Sequence, residues 1–176
     1  MIMKKLKTQS GFTLIEMIIV VIILGILALI IIPQVSVSTS DAKLSTLQTN
    51  LSTVRNGLEL YYHQHNQAYP GGAVPSTKPT DVVTTADAFA AQLTRYTDID
   101  GNISNSFGTA TPFGPYIKNG KLPSNPINNK IDVIIDTTET DITKRDSTAS
   151  DNAWKFYTKT GVFIAADGTS GEHDDL

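Results

Sequence analysis

An unbroken apolar run near the amino terminus constrains this chain more than any other feature. From Phe12 to Ile32 only Thr13 and Glu16 are polar. A helix over those 21 residues, rising ~1.5 Å per residue, is about as long as the ~30 Å hydrocarbon core of a bilayer is thick. The run therefore predicts a membrane-spanning helix. Lys4, Lys5 and Lys7 precede it and the next basic residue is Lys43. The positive-inside rule then places the amino terminus in the cytoplasm and everything beyond Ile32 across the membrane. A cleaved secretory signal is the rival reading, but its apolar stretch is ordinarily about 7 to 15 residues, shorter than this one.

Glu16 is the anomaly within the run. A carboxylate in an apolar helix costs a few kcal/mol, comparable with the ~2.5–3.5 kcal/mol for Asp at a helix centre, so a partner is expected. The alternative is that the side chain reaches out to the headgroups near the start of the helix. Gly25 and Pro33 are the helix-weakening positions within and at the end of the run. Pro33 removes a backbone donor and crowds the preceding turn, and Gly25 suits either close packing or a bend.

The string Ser10-Gly11-Phe12-Thr13-Leu14-Ile15-Glu16 resembles the processing site of type IV pilins, type II secretion pseudopilins and related filament subunits. The resemblance implies cleavage between Gly11 and Phe12 by a prepilin peptidase, which also methylates the new amino terminus at Phe12. It implies that Glu16 meets the amine of a neighbouring subunit during assembly, and that the helix between Gly25 and Pro33 bends or melts when subunits pack. The implied partners are further copies of the chain, the peptidase, membrane lipid before assembly and an inner-membrane assembly platform. The implied location is the inner membrane first, as a single-pass protein, then a periplasmic pseudopilus or an extracellular pilus.

Charge and composition agree with an exported structural subunit. Of the 14 Lys and Arg, three precede the run, leaving 11 against 17 Asp and Glu, with no basic cluster. Such a balance argues against nucleic acid as the main partner. The chain has no cysteine, which excludes disulfides, thiolate metal sites and a thiol nucleophile, and departs from the pilins that close their last loop with a disulfide. No Gly-x-Ser-x-Gly elbow, His-Glu-x-x-His pair or phosphate loop is present, so no enzyme is expected.

Beyond the membrane, Leu44, Leu47, Leu51, Val54, Leu58 and Tyr61 recur at spacings of three and four, one face of a helix that should end near Asn66. The stripe is too short for a coiled coil and suits packing on a small sheet. His63 and His65, two apart, point in different directions on a helix and read as polar residues at its end. A turn-rich segment follows, then a short helix from about Ala86 to Tyr96 capped by Thr84 or Thr85. Residues 97–130 read as loop. Strands are expected at Ile131–Ile135, Ala153–Thr158 and Val162–Ala166, the last two as a hairpin.

These elements predict an α+β fold, a long amino-terminal helix packed on a small antiparallel sheet, which is also the pilin architecture that the resemblance implies. The expected organisation is a leader at 1–11, a membrane and filament-core helix at 12–32, its amphipathic continuation at 33–66 and an exported globular domain at 67–176. Because major pseudopilins hold calcium near the sheet, Asp98, Asp100 and Asn102 are candidate calcium ligands, as is the terminal cluster Asp167, Glu172, Asp174 and Asp175. The expected function is a structural subunit of a type IV pilus-like filament, either a pilin or a major pseudopilin. The alternative is a non-polymerising single-pass protein whose exported domain binds a ligand or an ion.

Overall fold

The structure is a computed structural model that describes residues 11–145 and 152–166 together with Gly168 and Leu176; within the first helix it describes the backbone alone at 29–38. The element order is α1 (Leu14–Gln64), α2 (Thr85–Thr94), β1 (Tyr96–Thr97), β2 (Ile103–Ser104), β3 (Val133–Asp136), β4 (Trp154–Tyr157) and β5 (Phe163–Ala165). The chain divides into two compact units, Met1–Ala42 and Lys43–Leu176.

In the first unit α1 presents apolar side chains outward: Leu14, Ile15, Ile22 and Ile26 are all more than half exposed. Among the described residues no helix is long and apolar enough to cross a membrane. The expected span reaches into 29–32, whose side chains lie outside the described residues. Leader residues 1–10, including Ser10, lie outside them as well. The helix is continuous across Gly25 and Pro33, with open space around Gly25.

The second unit is built as its apolar spacing demands. Leu47, Leu51, Val54, Leu58 and Tyr61 are each at most 2% exposed and form one core with Phe89 and Leu93 of α2 and Trp154, Phe156 and Phe163 of the sheet. Leu44, the first residue of the predicted stripe, is half-buried. Rings carry the centre of the core: Phe89 lies 4.8 Å from Phe156, and Trp154 lies 5.3 Å from Phe163, centroid to centroid. Each such side chain contributes about 1.5–3 kcal/mol by leaving water. The Trp154 indole N–H donates to the Pro123 carbonyl at 2.9 Å, so its burial leaves no donor unmet.

The three-stranded sheet has the order β3-β4-β5. β4 and β5 form the expected antiparallel hairpin, with Phe156 opposite Phe163, across the short turn 158–162. β3 instead runs parallel to β4, Val133 opposite Trp154. A two-to-five-residue turn forces reversal of direction, whereas the long connection 137–153 leaves direction to packing. All four residues of β4 are buried, so the strand is covered on both faces. Lys155 is included, its ammonium 4.7 Å from the centroid of the Tyr157 ring. A second, two-stranded sheet pairs Tyr96 with Ser104 and Thr97 with Ile103: α2 stops at Thr94, short of the expected Tyr96, which joins a strand, and the other three residues lie in the stretch that sequence patterning gives as loop.

Candidate functional site

The start of α1 brings together the residues singled out by the amino-terminal motif. Gly11 and Phe12 form a non-helical, exposed lead-in, Phe12 being 77% exposed. The helix begins at Leu14 because Thr13 and Glu16 cap it reciprocally. The backbone N–H and the hydroxyl of Thr13 both donate to Glu16 Oε2 at 2.7 Å, and Thr13 Oγ1 accepts from the Glu16 N–H at 3.4 Å. This is a capping box, in which two orphan donors of the first turn are satisfied together. The pattern Thr-x-x-Glu is visible in the sequence, although the motif reading above assigned Thr13 no role. The other carboxylate oxygen, Oε1, has no hydrogen-bond partner among the described residues, and Glu16 is exposed. The site therefore offers an exposed carboxylate oriented by its own helix.

The expected calcium donors Asp98, Asp100 and Asn102 do come together, as the turn of the β1–β2 hairpin. Asp98 Oδ1 accepts from the backbone N–H groups of Asp100 and Asn102 at 3.0 and 2.9 Å, and Oδ2 accepts from Asn102 Nδ2 at 2.8 Å. Asn102 Oδ1 accepts from the Thr77 N–H at 3.2 Å. The Asp98 oxygens are thus engaged by the loop itself and Asn102 Oδ1 by the segment before α2, and Gly101, at φ +80°, makes the reversal possible. Among the described residues no group of three or more His, Asp or Glu side chains is arranged to hold a metal ion. The terminal cluster Asp167, Glu172, Asp174 and Asp175 lies outside the described residues.

His63 and His65 part company. His63 is exposed, while His65 is 2% exposed. Its ring stacks on Tyr61 at 3.7 Å, Nδ1 lies 2.9 Å from the Tyr61 carbonyl and Nε2 lies 2.9 Å from Thr97 Oγ1. His65 stands directly after the last residue of α1, at the helix end as expected, but it is buried there, and its ring joins the helix to β1. Beside it, Gln92 accepts from the Gly71 N–H and donates to the Gly101 carbonyl, tying the segment after α1 to the hairpin turn.

Gly11 and Phe12 thus lead into an apolar helix opened by a Thr–Glu cap, and a small α+β unit follows in the chain. Residues 6–32 match the prokaryotic N-terminal methylation motif. Over part of its length the chain is similar to type II secretion system core protein G, 42% identical over 64 residues to that of Pseudomonas aeruginosa and 37% over 83 residues to that of Vibrio cholerae. A third such protein, from Aeromonas hydrophila, is 34% identical over 64 residues. The matches take in 36%, 45% and 36% of this chain and 44%, 56% and 44% of the respective relatives. The chain thus spans about half the length of the curated relatives it matches. No solved structure matches it.

Proposed function

We propose that this chain is a structural subunit of a type IV pilus-like filament, of the kind that type II secretion systems assemble. The observation that carries the reading is the start of α1: a methylation motif whose Glu16 sits in an apolar, outward-facing helix with one oxygen held by Thr13 and one left open. An exposed apolar surface of this extent needs lipid or other helices to cover it. The same surface serves both, lipid while the subunit waits in the inner membrane and sister helices once it is drawn into the filament. Cleavage between Gly11 and Phe12 places a positive amine about one turn from Glu16. In a helical stack that amine meets the open oxygen of a neighbour and neutralises a charge that is otherwise costly in apolar surroundings.

Similarity to core protein G of type II secretion favours a periplasmic pseudopilus over an extracellular pilus. No catalytic group is required for this role. The partners are the prepilin peptidase, the inner-membrane assembly platform and other copies of the chain. The test is mass spectrometry of the mature amino terminus from cells that carry the secretion machinery. A terminus at N-methyl-Phe12 is expected; a terminus at Met1 or beyond Ile32 overturns the reading.

A further inference from the structure

The chain contains two Asn-Gly pairs, Asn56-Gly57 and Asn119-Gly120. An asparagine followed by glycine is chemically labile, because the glycine nitrogen can attack the side-chain amide carbon without a Cβ in its path. Whether it does depends on the freedom of the backbone, and the fold treats the two pairs in opposite ways.

Asn56-Gly57 lies inside α1. There the Gly57 N–H is committed to a carbonyl one turn back and the backbone angles are fixed. Gly57 is buried, with a Cβ at that position only 3.5 Å from Tyr116 Cβ. Asn119-Gly120 lies in a surface turn in which Lys118, Asn119, Gly120 and Lys121 are all exposed. Gly120 has φ +68° and nothing within 4 Å of a Cβ built on it. Neither residue has a hydrogen-bond partner among the described residues. The two flanking ammonium groups favour the deprotonated backbone nitrogen that carries out the attack.

We propose that Asn119 is a site of spontaneous deamidation, which converts the exported unit into a second, more acidic form as it ages. The Gly120 nitrogen gives its proton to solvent and bonds to Asn119 Cγ; the Cγ–Nδ2 bond breaks and ammonia leaves, closing a succinimide. Water then opens the ring at one or the other carbonyl. The product is aspartate, or isoaspartate with the main chain rerouted through the side chain. Water enters, ammonia leaves and no electron is transferred. The turn Lys-Asn-Gly-Lys acquires a negative charge between its two cations, on a face where they are otherwise unopposed by a neighbouring acidic residue in sequence.

The test is incubation of the full chain in detergent micelles at mildly alkaline pH, followed by chymotryptic mapping. The peptide that begins at Ile117 and carries Asn119 is expected to gain about 1 Da and to split into two chromatographic species, aspartate and isoaspartate. In the folded protein the peptide carrying Asn56 changes about tenfold or more slowly, and the difference disappears in denaturant, where the helix no longer protects it. N119Q removes the new species, and G120A slows their formation. Equal rates at Asn119 and Asn56 in the folded protein, or an intact Asn119 amide when the denatured control has reacted, overturns the proposal.

Discussion

His65 is held on both ring nitrogens, and its partners dictate which one carries the proton. The Tyr61 carbonyl can only accept, so Nδ1 donates, and Nε2 accepts from the Thr97 hydroxyl. Burial pushes this imidazole below its ordinary value, while hydrogen bonding to backbone carbonyls and the field of Asp98 offset the shift only in part. The folded chain therefore refuses a proton that the unfolded chain accepts. Stability from this residue is complete above the unfolded value of about 6.5 and falls as the pH drops below it, by up to about 1.4 kcal/mol per pH unit, until the folded value is reached. Urea titrations of the full chain in detergent at pH 7.5 and 5.5 are expected to show that loss, and His65→Gln, which cannot titrate, is expected to be flat across the same interval. An unchanged acid loss in the Gln variant would assign it to other groups. Within the string Tyr-Tyr-His-Gln-His, His65 falls four residues after Tyr61 and so extends the apolar face of α1, whereas His63 does not; the groups that complete its burial, Thr97 and Phe113, lie more than thirty residues away in sequence.

At the scale of elements, the two helices begin with the same device. Thr84 and Asp87 repeat at α2 what Thr13 and Glu16 do at α1: the Asp87 N–H donates to Thr84 Oγ1 at 3.1 Å, and the Thr84 N–H donates to Asp87 Oδ2 at 2.8 Å. Thr84→Ala removes the acceptor and strands one N–H of the first turn, so a loss of about 1 kcal/mol is expected. It is read as a lower denaturation midpoint with unchanged slope. Such caps are legible in sequence, as is the face of α1 from Leu47 to Tyr61, since both follow from spacings within one or two turns. β1 and β2, two residues each, carry too little periodicity to announce themselves. The parallel direction of β3 has no local signal at all.

For the whole molecule, the proposed function gives the amino-terminal carboxylate a role in assembly. Glu16→Val keeps the apolar character of the run, and even improves it, so membrane insertion is expected to proceed as in the parent chain. The carboxylate that the proposed function pairs with a neighbour's amine is gone, and filaments are expected to be lost. Fractionation should find the variant in the membrane at normal abundance, and electron microscopy of cells overproducing the assembly machinery should find no filaments; filaments of normal number would remove Glu16 from the assembly mechanism.

By itself the sequence determined the apolar amino-terminal run, its methylation motif and cap, and the stripe that becomes the core face of α1. Each of these is written in neighbouring residues, where spacing alone decides which side of a helix is apolar. Tertiary structure decided the rest. It buried His65 while leaving His63 in solvent, turned the oxygens of Asp98 and Asn102 inward to form a hairpin turn, and set β3 parallel to β4. It also locked Asn56 while leaving Asn119 open. The pairing of β3 with β4 and the contacts of His65 with Thr97 and Phe113 depend on what packs against a residue from a distant part of the chain, which neighbouring residues do not specify.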